Sequence, residues 1–263
     1  MMTIQKYVRA KTLEEAYELN QSRQNRVIGG MLWLKMSSLR IHTAIDLCDL
    51  GLDTIEETDE AFSIGAMVTL RQLEQHPGLN RYASDTPARA VRDIVGVQFR
   101  NMATVGGSLW SRFGFSDVLT VFLAMDSYVE LYKGGIIPLK NFATMKPDSD
   151  LLVRLIVKKT PMAAAYQAMR IQRTDLPVLT CAVTRLDGRW QAAIGARPHR
   201  AVVIADEEGL LSGGPTPEAA EAFAAYAAAC TPVGGNMRGS AAYRSHLIKA
   251  LVSRCIMELG GER

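Results

Sequence analysis

Gln98-Phe99-Arg100-Asn101-Met102-Ala103-Thr104-Val105-Gly106-Gly107-Ser108, followed nine residues on by Asp117, is the most informative stretch of this chain. A Thr hydroxyl beside two glycines lets backbone N–H groups press close to an anionic ligand with no Cβ in the way. A carboxylate a short way downstream is placed to accept from a ribose hydroxyl or from loop amides. The stretch suits a phosphate-bearing cofactor.

Working outward, a second Gly-Gly pair lies far upstream in Arg26-Val27-Ile28-Gly29-Gly30-Met31-Leu32-Trp33-Leu34-Lys35. It reads as a β-branched run, a turn, then an apolar segment able to start a helix. Singly, a Gly-Gly pair after a strand is more often a tight turn than a ligand cradle. Neither pair fits G-x-G-x-x-G or G-x-x-x-x-G-K-[ST], so neither a Rossmann nor a P-loop reading is supported. Two such turns together with Asp117 carry the argument for an amide-lined pyrophosphate site, aided by any following helix N-terminus.

The 263 residues suffice for one large or two modest domains with a substantial core. Apolar residues make up 48% and charged ones 22%, with a net charge of +3, which fits a soluble globular protein. That charge is too small to imply a nucleic-acid partner. Cys48, Cys181, Cys230 and Cys255 lie far apart, and none forms a C-x-x-C spacing, so neither zinc nor an iron–sulfur cluster is expected in this chain. Scattered cysteines, the lack of an apolar leader and the lack of any run near ~20 apolar residues point to the cytoplasm and to no membrane span. His42, His76, His199 and His246 form no triad-like pattern and read as surface histidines, so no catalytic side chain is expected.

Three regions follow one another. In the first, about 1–55, Thr12 and Glu15 form a capping box opening a helix with Leu13, Ala16, Tyr17 and Leu19 on its apolar stripe. A strand is predicted over Ile41–Leu47. The second, about 56–160, has a strand from Ile64 leading into a helix over Leu70–His76 that Pro77-Gly78 ends, then a longer helix over 87–97. A buried helix is predicted from Asp117 to Asp126, strands over Tyr128–Tyr132 and Leu151–Val157, and a boundary at Thr160-Pro161. In the third, Leu179–Arg185 and Trp190–Gly195 flank Asp187-Gly188, the strongest short hairpin signal in the chain. Helices over 217–230 and 239–258 come after it, parted by Thr231-Pro232-Val233-Gly234-Gly235. Strands followed by helices suggest an α+β unit.

Over its full length the chain resembles the FAD-binding subunit of the molybdenum hydroxylases, the xanthine dehydrogenase and carbon monoxide dehydrogenase family. The first Gly-Gly turn, Gln98 through Ser108, and Ser116-Asp117 carry the resemblance in the first two regions. Asp175-Leu176-Pro177, Gly195-Ala196-Arg197-Pro198 and Arg238-Gly239-Ser240-Ala241-Ala242-Tyr243-Arg244 carry it in the third. The resemblance implies an α+β chain with a two-part FAD-binding domain of the PCMH (vanillyl-alcohol-oxidase-like) type over 1–160, its parts about 1–55 and 56–160. A CO-dehydrogenase-flavoprotein-like C-terminal α+β domain would fill 161–263.

It further implies that Val27, Ile28, Gly29, Gly30, Met31, Leu32, Trp33 and Leu34 wrap the FAD diphosphate. Thr104, Val105, Gly106, Gly107 and Ser108 would meet the diphosphate and ribityl part, Asp117 a sugar hydroxyl, and Ile94 and Leu151 would supply apolar contacts. Three departures from the family pattern stand out. Met31-Leu32-Trp33 replaces the polar residues that usually follow the first Gly-Gly, leaving backbone amides to bind phosphate. Ser108 stands for the usual Asn, and Ala168 for a Lys, a charge that Arg170 or Arg173 is near enough in sequence to supply. The implied partners are a two-[2Fe–2S] subunit and a molybdopterin-binding subunit, with electrons leaving through FAD to NAD⁺ or another acceptor. Two alternatives are a standalone FAD-dependent oxidoreductase and a non-catalytic nucleotide-binding assembly module.

Overall fold

The structure, a computed structural model, describes residues 1–261; Glu262 and Arg263, which the expected second domain includes, lie outside the described residues. In chain order the first elements are β1 (Thr3–Arg9), α1 (Leu13–Asn20), β2 (Arg26–Ile28), β3 (Arg40–Asp46), β4 (Ile55–Glu57), β5 (Ala61–Gly65) and α2 (Leu70–Gln75). Five short helices follow, α3 (Pro77–Tyr82), α4 (Thr86–Val91), α5 (Val97–Arg100), α6 (Val105–Trp110) and α7 (Asp117–Leu123), then β6 (Ser127–Leu131), β7 (Gly135–Pro138), α8 (Leu139–Thr144) and β8 (Leu152–Lys158). The remainder comprises β9 (Met162–Met169), β10 (Leu179–Leu186), β11 (Arg189–Gly195), β12 (Val202–Ala205), α9 (Pro217–Cys230) and α10 (Ala241–Gly261).

Two compact units interleave along the chain. The first comprises 1–73, 97–111 and 127–158; the second comprises 74–96, 112–126 and the chain from Lys159 onward. The first unit holds a parallel sheet in the order β1-β3-β2 and an antiparallel one in the order β4-β5-β8-β6-β7. Ala10, Ala16, Ile45, Leu47, Leu52, Leu151 and Val153 form one of its apolar clusters; Ile28, Ile41 and Ala44 form another, with Met31 and Leu34 packed on it. The capping residues predicted for α1 act there. The Thr12 hydroxyl accepts from the Glu15 N–H at 3.1 Å, and the Glu15 carboxylate reaches back to the Lys11 N–H at 2.7 Å.

The second unit is built on the antiparallel sheet β12-β11-β10-β9, with α9 and α10 covering one face. Asp187 and Gly188 both take positive φ (46° and 78°), the conformation that a two-residue hairpin turn demands, and Leu186 and Arg189 close it as the sequence predicts. α9 begins and ends on the predicted residues, its N-terminus capped by the Thr216 hydroxyl on the Ala219 N–H.

Arg244, 1% exposed, shows what the Arg238–Arg244 and Gly195–Pro198 stretches do. Its guanidinium donates to the carbonyls of Val178 (2.9 Å), Ala196 (3.2 Å), Gly234 (2.9 Å) and Gly239 and to the Asn236 side chain (2.7 Å), so one side chain ties three loops to the start of α10. Arg197 acts likewise on the carbonyls of Arg200 and Pro232.

One local reading holds with an addition, and one needs correction. The helix from Leu70 ends at Gln75, before Pro77-Gly78 as expected, and Pro77 then opens a separate helix not anticipated, α3, with His76 Nδ1 accepting from the Leu79 N–H at 3.1 Å. The helix predicted over 87–97 stops at Val91, and Val95 takes a left-handed φ of 51° that a helix cannot contain.

Candidate functional site

The two glycine bends, separated by more than seventy residues, meet inside the first unit. A Cβ on Gly29 would stand 2.6 Å from Thr104 Oγ1, and one on Gly30 would stand 1.9 Å from the Met102 carbonyl oxygen. The glycines at 29 and 30 are therefore demanded by the contact between the bends and not by open space for a phosphate. Gly106 meets the same kind of demand, since a Cβ there would lie 2.6 Å from the Ala66 carbonyl oxygen.

The second bend spends its amides internally. The N–H groups of Val105 and Gly106 bind the carbonyls of Val68 and Ala66, each at 2.8 Å. Those of Gly107 and Ser108 bind the Thr104 hydroxyl (3.1 Å) and the Thr104 carbonyl (3.0 Å). The expectation that Val105, Gly106, Gly107 and Ser108 turn their amides to an anion is thus corrected, because residues 66–68 and the Thr104 cap take them all. The Ser108 hydroxyl is also given away, to the Thr104 carbonyl at 2.9 Å. Thr104, 6% exposed, accepts from Gly107 and keeps its own hydroxyl proton for a further acceptor.

The first bend is the reverse case. Among the described residues, the successive amides of Gly30, Met31 and Leu32 donate to no protein acceptor. Met31 holds a left-handed φ of 58°, and Trp33 a right-handed −89°. Successive N–H groups in a turn that includes a left-handed residue can form a concavity that binds anions. The side chains explain why apolar residues stand here. Met31 and Leu34 pack on Ile28, Ile41 and Ala44, Val27 packs on the cluster around Ile45, and Trp33 sets its ring edge-on against Phe99 at 6.5 Å. These apolar side chains anchor the loop to the core of the first unit, while the amides of Gly30, Met31 and Leu32 have no protein acceptor among the described residues.

Of the other expected contacts, Leu151 is 2% exposed within the apolar cluster of the first unit. Ile94 and Asp117 belong to the second unit. Asp117, at the first turn of α7, is buried, and its Oδ1 accepts from the Tyr166 hydroxyl and from the Arg170 guanidinium, each at 2.5 Å. Burial pushes the Asp117 carboxyl upward, against the pull of Arg170 and Tyr166; burial and the neighbouring carboxylate push the Tyr166 hydroxyl well up. The two arginines near enough in sequence to replace a flavin-facing Lys are engaged elsewhere, Arg170 with Asp117 and Arg173 with Asp93 at 2.9 Å. Sequence reasoning missed the carbonyl of Met102 and the role of Tyr166. The spacing of Tyr166, Ala168 and Arg170 along one face of a strand was the available signal for the latter.

Comparison with known proteins completes the description. The family described as "FAD binding domain in molybdopterin dehydrogenase" matches residues 2–160, and "CO dehydrogenase flavoprotein C-terminal domain" matches residues 164–259. The nicotine 6-hydroxylase medium subunit of Paenarthrobacter nicotinovorans is 25% identical over 97% of this chain and 97% of its own. The Escherichia coli K12 protein YgfM is 27% identical over 95% of this chain and 94% of its own. The flavoprotein fold recurs in reconstituted CO dehydrogenase from Oligotropha carboxidovorans, with a TM-score of 0.86, 20% identity and 99% of both chains covered. The paired bends sit in the matched 2–160 segment, and the chain belongs to the family of FAD-binding flavoproteins of the molybdopterin dehydrogenases.

Proposed function

We propose that this chain is the flavin-carrying electron-transfer subunit of a molybdopterin hydroxylase complex. Its partners would be a [2Fe–2S] subunit and a molybdopterin-binding subunit, and NAD⁺ or another acceptor would take the electrons. The observation that carries the reading is the first bend, three uncommitted amides on a loop anchored by its own side chains. End-to-end similarity to a protein described as a medium subunit supports the complex.

When bound, FAD supplies the redox chemistry, exchanging electrons singly with iron–sulfur centres and in pairs with an acceptor such as NAD⁺. The chain's residues bind and orient. Amides of Gly30, Met31 and Leu32 hold the diphosphate, and the Thr104 hydroxyl gives it one more donor. Met102 and Thr104 fix the bend from behind. Asp117 is proposed to accept from a sugar hydroxyl through Oδ2, the oxygen that Tyr166 and Arg170 leave. Among the described residues no three His, Cys, Asp or Glu are grouped to hold a metal; in this reading the iron–sulfur and molybdenum centres would belong to the partner subunits.

The test is purification of the chain with FAD supplied. One FAD per chain, an absorbance band near about 450 nm, and no turnover of small substrates by the chain alone are expected. A chain that retains no flavin overturns the cofactor site, and turnover by the isolated chain overturns the subunit role. Asp117→Ala should weaken FAD more than FMN; equal weakening removes the sugar contact.

A further inference from the structure

Trp33 follows directly on the three amides of the first bend. It is 40% exposed, while its neighbours Met31 and Leu34 pack on the cluster of Ile28, Ile41 and Ala44. We propose that its indole stacks on a planar ring of the bound dinucleotide, the isoalloxazine or the adenine. The inference rests on the cofactor reading above and assigns Trp33 to a ring rather than to the diphosphate.

The place of the residue is the first support. Consecutive Cα atoms are about 3.8 Å apart, so the indole leaves the backbone one residue beyond the Leu32 amide that meets the diphosphate. In FAD one ring system is tethered to each side of that diphosphate. A side chain rooted this close to it borders one half of the molecule or the other.

The indole is also held in position. Phe99, from α5, meets it edge-on, with the ring planes 73° and the centroids 6.5 Å apart. The Phe99 carbonyl accepts from the N–H groups of Met102 (3.1 Å) and Ala103 (2.8 Å), and the Met102 carbonyl is the atom that abuts Gly30. The indole, the ring that props it and the three amides therefore belong to one local framework, all within the first unit. A platform ordered before the ligand arrives loses less freedom on binding.

The chemistry of the stretch points the same way. From Gly30 to Leu34 there is no charged side chain, so the bend presents main-chain donors and apolar surface only. Met102 is 53% exposed, so exposed apolar surface at the paired bends extends beyond the indole. Main-chain donors suit the phosphates, and a large rigid aromatic face suits the flat rings attached to them.

The test titrates the full chain, freed of flavin, with FAD, FMN and ADP in a calorimeter. Trp33→Leu keeps an apolar side chain without a ring and should weaken FAD roughly tenfold, within the range of about 5- to 150-fold that loss of one base–aromatic stack brings. Trp33→Phe keeps a flat face and should stay within about threefold of the parent. A lost stack touches only one half of the dinucleotide, so Trp33→Leu should also weaken either FMN, which marks the isoalloxazine, or ADP, which marks the adenine. Where FMN and ADP bind too weakly to titrate, the gap between the Phe and Leu variants on FAD decides. A Trp33→Leu chain that binds FAD like the parent, or no better and no worse than Trp33→Phe, or that loses FAD, FMN and ADP in equal measure, overturns the proposal and leaves the cofactor site standing. A parent that binds no FAD overturns both.

Discussion

Gly30→Ala tests whether the two bends are held by contact. The new Cβ would stand 1.9 Å from the Met102 carbonyl oxygen and 2.5 Å from its carbon, and both are backbone atoms that cannot rotate aside. Overpacking of this kind costs about 1–3 kcal/mol, and a backbone obstacle places this case near the top, at about 2–3 kcal/mol. The strain has two outlets. If the bends stay together, the fold bears it and the melting temperature falls by about 4–10 °C for a chain of this size. If the first bend moves off Met102, its three amides lose their alignment and FAD binding weakens by about 30- to 150-fold, at 1.4 kcal/mol per tenfold. Thermal melting of the flavin-free protein and fluorescence titration with FAD measure the two losses, which together should reach about 2–3 kcal/mol. Gly213→Ala is the control: its Cβ would meet nothing within 4 Å, and both readouts should stay within about 0.5 kcal/mol of the parent. A Gly30→Ala protein that melts and binds FAD like the parent refutes the contact.

Gly107→Val should also weaken flavin retention, but through the Thr104 cap, since a Cβ at 107 would meet Thr104 Oγ1 at 3.0 Å; a Gly107→Val protein that retains FAD like the parent would contradict this route. Arg244→Met should cost on the order of 4 kcal/mol in urea unfolding, because four carbonyls lose their donor inside the fold, and a loss under about 1 kcal/mol would show that water replaces it. Glu258 is held below the usual glutamate range chiefly by its hydrogen bond to Arg89, so its contribution is present above that range and fades as pH falls through the lowered value. Stability between about pH 5 and 3 should therefore fall less steeply in Arg89→Met than in the parent, by under about 1 kcal/mol given the half-exposed pair; equal slopes would dismiss the linkage.

The features legible in the sequence were those whose cause is local. Asp187-Gly188 announces its hairpin because two successive positive φ values suit few other pairs, and Thr216 announces α9 because its hydroxyl caps the turn it precedes. The Gly-Gly pairs were read as room for an anionic ligand, and the structure sets Gly29, Gly30 and Gly106 in close contact with other parts of the chain. What they approach was hidden, because Met102 and Ala66 act through main-chain oxygens that any residue possesses. The amides of α6 misled for the same reason: the carbonyls of Val68 and Ala66 that consume them lie some forty residues away. Pro77 marked the end of α2 correctly but not the start of α3, because proline stops one helix and starts another equally well.

The five-bonded guanidinium of α10 has a consequence for synthesis. Arg244 is made after every loop it satisfies, so the carbonyls of Val178, Ala196, Gly234 and Gly239 wait for their donor until α10 has left the ribosome. Domains tend to complete as whole units during translation, and this one cannot close early. A chain that stops before Arg244 would have its first sheets made and its second unit unlatched, a natural target for proteolysis.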